Sequence, residues 1–199
     1  MASNFRIDQF KTQLKNGGAR PNQFQVRIGF PSYVQNDRQL LESSSFLVTV
    51  AELPGQTIGT TPVFYRGREV KLAGDKVFAP FQCTILNDTD FKLRNGIEEW
   101  MNGIENMGQK VGYTNPIAYM SSIDIMQLDR NGETLRAYKL LGAFPVDISP
   151  VGLDFSANDQ LSTFTVSFQY QHFEYGLRAA DSVATSTILP GIIPGGLVI

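Results

Sequence analysis

The chain offers few side chains able to do covalent chemistry. His172 is its one imidazole, the group whose ordinary pKa lies closest to neutrality. It closes a run of alternating residues, on the side shared with Phe164, Val166, Phe168 and Tyr170. That position suits a strand-end histidine held by a backbone partner better than a general base. Cys83 falls on the apolar side of another alternating run, where a thiol is buried and inert. One Cys cannot form an internal disulfide, and one Cys with one His cannot close a zinc site. Acid–base work by Glu98-Glu99 or by Asp88 and Asp90 needs two carboxylates in one cleft. Helix capping and a solvated helix face account for both pairs. The chain has no phosphate-cradling P-loop, dinucleotide fingerprint or HExxH. Asn87-Asp88-Thr89 matches a glycosylation sequon, a chance match in a chain showing no secretion signal. The expectation is a protein that is not an enzyme and holds neither cofactor nor metal.

Composition narrows the class further. The chain has 199 residues, 42% hydrophobic and 18% charged, with 17 basic against 19 acidic side chains. That is enough apolar content for a core and too little charge for a disordered chain. Near neutrality gives no basic field for nucleic acid and little self-repulsion to oppose self-association. The start lacks a basic stretch followed by an apolar run. The tail from Ile188 to Ile199 is broken by Pro190, Pro194 and three glycines, so it cannot be a spanning helix. The expected location is a cytoplasm, or a particle assembled in one, with no membrane partner.

Hydrophobic period locates the elements that would carry any surface function. Residues 4–15 suggest a short helix, with Phe10 and Leu14 at helical spacing and Gly17-Gly18 as a stop. After Arg20-Pro21 the period becomes two, with Phe24, Val26, Ile28 and Phe30 opposite Gln23, Gln25 and Arg27. Residues 31–44 read as an irregular polar loop. A strand follows through Phe46-Leu47-Val48-Thr49-Val50, ending at Leu53-Pro54-Gly55, and 56–72 look extended. In 77–86, Val77, Phe81, Cys83 and Ile85 alternate with Gln82 and Thr84. Asp88 is a plausible N-cap for a helix whose Leu93, Ile97, Trp100, Met101 and Ile104 form one stripe, ending near Gly108. Asn131-Gly132 between two apolar runs predicts a hairpin with both turn residues at positive φ. Residues 161–173 form the clearest strand. From residue 176 the chain turns small, polar and then Pro/Gly/Ile-rich, an extension beyond the domain. The sum is an α+β fold: mainly antiparallel strands with one long packed helix.

The polar strand faces are more informative than the titratable groups. Gln82, Thr84, Thr163, Thr165, Ser167, Gln169 and Gln171 are hydrophilic yet uncharged. They are either ordinary solvent faces or the wall of a wet passage. Long strands with few charges are also poorly protected against edge pairing, a liability that ordered oligomerisation removes.

Several motifs then line up in one order. They are Ala19-Arg20-Pro21-Asn22 with Phe24-Gln25-Val26, then Leu53-Pro54-Gly55, then Arg68 with Ala73-Gly74-Asp75 and Phe78. Asn87-Asp88, a helix with Trp100, Asn158 and a last strand near Phe164 follow. Over residues 19–175 this set resembles the tail tube proteins of contractile-tailed bacteriophages, which are similar in fold to the inner tubes of type VI secretion and phage-tail-like bacteriocins. The resemblance implies a small β-sandwich or split barrel flanked by a helix. Six such subunits would close a ring whose strands line a lumen, and the rings would stack into a tube. The implied partners are further copies of the chain, a sheath protein, a baseplate initiator, and tape measure protein and DNA passing through the lumen. It further implies that 56–72 reach a neighbouring ring, that Thr163, Thr165, Ser167, Gln169 and Gln171 are the first candidates for the lumen wall, and that the assembled subunit resides in the virion tail. Arg20-Pro21-Asn22 would start the first strand, Pro54-Gly55 would turn with Gly55 at positive φ, Arg68 and Asp75 could pair, and Trp100 would anchor the helix. Residues 1–18, 31–44 and 176–199 depart from the family pattern as additions. The alternatives are an inner tube subunit of an injection machine carrying no DNA, a baseplate initiator forming one ring, and a monomeric β-barrel holding a small ligand.

Overall fold

The computed structural model describes residues 7–14, 18–108 and 112–176; the stretch read as a C-terminal extension lies, after Gly176, outside them. A short helix α1 (Ile7–Gln13) precedes β1 (Phe24–Ile28), α2 (Asp37–Leu47), β2 (Val48–Ala51), β3 (Gln56–Tyr65), β4 (Arg68–Phe78) and β5 (Phe81–Leu86). Then come α3 (Lys92–Ile104), α4 (Pro116–Tyr119), β6 (Ser121–Leu128), β7 (Thr134–Ile148), β8 (Thr163–Gln169) and β9 (His172–Gly176). The main sheet runs β1-β6-β7-β8-β5-β2, antiparallel throughout, with β9 also on β7. β3 and β4 form a separate two-stranded ribbon.

The core face of the sheet carries Val26, Ile28, Phe81, Cys83, Ile85, Ile123, Ile125, Leu140, Phe164, Val166 and Phe168, all essentially without solvent contact. These are the apolar halves of the period-two runs, as alternation demands. α3 lays Leu93, Ile97 and Trp100 on them, with the Trp100 ring against Phe30 and Phe168. The Trp100 indole N–H donates to the Tyr119 carbonyl at 2.7 Å. These contacts tie α3 to the sheet and to the Tyr119 backbone. Asp88 accepts the Lys92 N–H at 3.0 Å, three residues before the helix-entry residue Phe91.

Four features differ from the pattern reading. The expected loop at 31–44 contains most of α2, which absorbs Phe46 and Leu47 as well. Its buried stripe is Leu40 and Ser44. A serine in the core position breaks the apolar period, and three consecutive serines lower the apparent helix propensity. Ser44 earns that position by bonding: its hydroxyl accepts the Ile28 N–H at 3.0 Å and donates to the Leu41 carbonyl at 2.7 Å. Thus α2 closes the outer edge of β1 and then runs straight into β2, the opposite edge strand. The barrel is split, and a helix fills the split.

The 129–133 hairpin is wider than a two-residue turn. Asp129 pairs with Glu133, the Gly132 N–H reaches the Asp129 carbonyl at 2.9 Å, and Gly132 takes φ 78° while Asn131 stays at negative φ. This is the three-residue loop with a left-handed glycine bulge. Residues 117–120 are helix α4 and its end, so the β6 arm starts at Ser121. Finally, the 161–173 strand bends at Tyr170-Gln171, opposite Gly142 at φ 64°. His172 consequently lies exposed on β9, paired with Leu141, and not on the core face.

Candidate assembly surfaces

Cys83 is buried, and desolvation pushes its thiol up to about 12. Glu98 is bound to Arg94 one helical turn away, and Glu99 accepts the Gln35 N–H. Among the described residues, no cluster of three or more His, Cys, Asp or Glu could hold a metal ion, and no helix is long and apolar enough to cross a membrane.

The ribbon of β3 and β4 is the most unusual surface. Its strands are joined by Arg66-Gly67, both at positive φ (48° and 78°), the two-residue turn that matches strand twist. The ten residues of β3 extend it by about 33 Å. Almost every side chain on it is exposed, Phe64 at 74% and Val77 at 63% among them. Cross-strand register puts Val63 beside Val70 and Thr61 beside Leu72 on one face, and Phe64 beside Glu69 on the other. A bulge interrupts the ladder between Ile58 and Thr60. There a Cβ on Gly74 would come within 3.2 Å of the Gly59 backbone; glycine lets the two backbones approach closely at this point.

The structure separates several residues grouped by motif. Arg68 stands at the ribbon tip opposite Tyr65, whereas Asp75 sits seven positions back at the bulge, about 23 Å along the strand. They do not pair within the subunit. Gly55 takes no positive φ; Pro54-Gly55 is an extended lead into β3, tied by the Ala79 N–H to the Gly55 carbonyl at 3.2 Å. Arg20-Pro21-Asn22 is exposed and forms a turn before β1, closed by the Gln23 N–H on the Arg20 carbonyl at 3.3 Å. Pro21 presets φ for the first central position of that turn, a role one step before the strand itself.

The polar strand face comes together across three further strands. Thr165 lies opposite Thr84, which lies opposite Val50, and Ser167 lies between Gln82 and Asp147. The Thr84 and Thr165 hydroxyls are 3.2 Å apart, and Ser149 accepts the Thr165 N–H at 2.8 Å. Thr163 and Gln169 flank these rows on β8, opposite Leu86 and Phe144. Gln171 is at the bend, its Cγ packed where a Cβ on Gly142 would stand. Among the residues paired in these rows, Asp147 is the one with a charge.

Pattern reasoning missed a contrasting row on the other half of the sheet. Arg27 on β1 faces Asp124 on β6, Asp124 faces Lys139 on β7, and Lys139 faces Glu174 on β9. Charges thus alternate across four strands on one face. Burial holds the Asp124 carboxyl above the usual carboxylate range, and Lys139 and Arg27 offset part of that rise. Nothing in the sequence signals this row, because register alone brings the four positions side by side.

A family model described as phage tail tube protein matches residues 19–175. Tail tube protein gp19 of Enterobacteria phage T4 is 26% identical over 170 residues, 84% of this chain and 99% of that protein. The tail tube protein of Serratia phage KSP90 is 28% identical over 166 residues, 82% of this chain and 93% of that protein. Among solved structures, a chain of the anti-feeding prophage's tube-terminating cap assembly shares the fold with a TM-score of 0.60 at 14% identity, over 80% of this chain and 91% of that one. A chain of the PVC sheath-tube complex, from an extracellular contractile injection system, gives 0.56 at 13% identity, over 83% and 97%. Since the family model spans most of its length, the chain belongs to the phage tail tube protein family, as a structural subunit of the tail tube.

Proposed function

We propose that the protein closes into six-membered rings that stack into a hollow tube, with the β3–β4 ribbon reaching from one ring to the next. The ribbon carries this reading. An isolated two-stranded hairpin is marginal in water, and this one leaves Ile58, Val63, Phe64, Val70 and Leu72 largely uncovered by its own chain. A neighbouring copy supplies the missing cover. Rings closed by head-to-tail rotation also bury sheet edges.

The polar rows of Gln82, Thr84, Thr163, Thr165, Ser167 and Gln169 form the lumen wall, with Asp147 as their one charge and Gln171 at the rim. Phosphate contacts are what retain DNA; a wall without lysine or arginine lets it slide past. The charged row of Arg27, Asp124, Lys139 and Glu174 belongs to a face turned away from the lumen. In this reading the tube sits inside a sheath, begins on a baseplate and conducts tape measure protein and DNA without catalysis, after assembly in the host cytoplasm.

Negative-stain electron microscopy beside sedimentation tests the proposal. The expected result is rings or hollow tubes, with tubes lost when residues 58–76 are replaced by a short turn. Monomer alone at high protein concentration, with no growth on preformed baseplates, overturns it in favour of a ligand-holding barrel.

A further inference from the structure

The 151–162 loop between β7 and β8 carries a second uncovered apolar group. Leu153 is 91% exposed, Phe155 108% and Leu161 74%. The loop has an ordered shape: Asp154 accepts both the N–H and the hydroxyl of Ser156, at 2.9 and 2.8 Å, and Asp159 holds φ 61°. Three large apolar side chains displayed on a shaped loop mark an interaction surface.

Its position relative to the ribbon is decided by β5. The ribbon leaves the barrel just before Phe81, at the start of β5. The loop ends at Ser162, whose carbonyl accepts the Asn87 N–H at 2.9 Å just past the other end of β5. The roots of the ribbon and of the loop thus lie at opposite ends of a six-residue strand, about 20 Å apart. Their charges are opposite as well. The ribbon has four basic residues (Arg66, Arg68, Lys71, Lys76) to two acidic ones (Glu69, Asp75), and the loop has Asp154 and Asp159 with no basic residue.

We infer that the 151–162 loop is the seat for the ribbon of a second copy of this chain in the adjoining ring. The Val63–Val70–Leu72 face of the ribbon covers Leu153, Phe155 and Leu161, with the basic tip over the two aspartates. Complementary patches at opposite ends of one molecule make a heterologous contact that repeats without closing, as a growing tube requires. This rests on the tube reading above and adds the surface that receives the ribbon.

Two experiments on the full chain test it. Leu153→Ser, Phe155→Ser and Leu161→Ser combined remove side chains with almost no packing in their own subunit. The protomer's unfolding and the rings should be unchanged, while the protein concentration needed for tube growth rises about tenfold or more, the consequence of losing about 1.4 kcal/mol per contact. Second, Thr61→Cys with Ala157→Cys in one chain, treated with a short bis-maleimide after assembly, should give a denaturing-gel ladder extending past the ring's subunit number. Buried Cys83 does not compete. Tubes that grow at the wild-type concentration with no ladder overturn the inference and leave the tube reading intact. A ladder that stops at one ring's subunit number, or a triple variant that loses its rings, overturns it by placing the contact within a ring. Wild-type protein that forms neither rings nor tubes on baseplates overturns both.

Discussion

Ser44→Ala isolates the bond that closes the split in the barrel. Ser44 has no solvent contact, and its hydroxyl is the partner of the Ile28 N–H on the free edge of β1. Removing it leaves a buried donor unpaired, a cost of about 1–3 kcal/mol. Alanine returns about 0.5 kcal/mol through helix propensity. Ser45→Ala is the control, since Ser45 lies next door in α2, makes the same bond to the carbonyl three residues back at 2.6 Å, and is only partly buried. It gains the same propensity and strands no donor. Ser44→Ala should therefore unfold at lower denaturant than Ser45→Ala by the equivalent of about 1–3 kcal/mol, or about 2–4 °C in Tm for each kcal/mol in a domain of this size. Hydrogen exchange at the Ile28 amide, read on protomer held below the assembly concentration, gives the local measure. Its protection should fall in Ser44→Ala alone. Equal stability of the two variants, with Ile28 protection unchanged, would refute the claim that α2 seals the edge through this hydroxyl.

Other perturbations have equally specific outcomes. Trp100→Phe should cost about 2–4 kcal/mol in denaturant unfolding, because it leaves a void in the core and strips the Tyr119 carbonyl of its donor. Gly103→Ala should destabilise by about 1–3 kcal/mol despite its better helix propensity, because the new Cβ would come within 2.2 Å of the Tyr33 ring; that ring is held by stacking on Tyr113 and by its hydroxyl on the Trp100 carbonyl. Tyr170→Phe should leave thermal unfolding unchanged or slightly raise it, as the buried Tyr170 hydroxyl has no partner among the described residues. Burial raises Tyr33 from 10.0 to about 12 and Cys83 from 9.0 to about 12. The unfolded chain loses these protons first, so stability should fall as pH climbs from about 9 towards 12, and Tyr33→Phe should flatten the upper part of that slope. His172→Ala should leave tube formation, seen by electron microscopy, unaltered.

The strands of the core were legible because burial on one face imposes period two. Phe24-Val26-Ile28, Phe81-Cys83-Ile85 and Phe164-Val166-Phe168 each show it, and each faces the core. The α3 stripe was legible for the same reason at period 3.6. Reading failed where a buried position is filled by a residue chosen for bonding, as at Ser44. It failed again where a strand changes course at its partner's glycine: Gly142 bends 161–173 and turns His172 outward. The ribbon was visible only as extended chain, because a strand pair with both faces exposed has no burial period to display. The β8 half of the candidate wall was legible from alternation, but its neighbours were not.

The sequence by itself determined the class of the molecule. One Cys, one His and near-zero net charge limit the chemistry, alternation specifies antiparallel strands with a helix, and an ordered set of short motifs carries the family. Those signals are local, so the order of residues along the chain is enough to express them. Tertiary structure alone decided how the surfaces are composed. Register places Arg27, Asp124, Lys139 and Glu174 in one row and Thr84 beside Thr165, although each pairing joins distant parts of the chain. The same is true of the ribbon and the 151–162 loop, set at opposite ends of β5. Contacts between residues far apart in sequence depend on how the sheet closes, and closure is a property of the whole core.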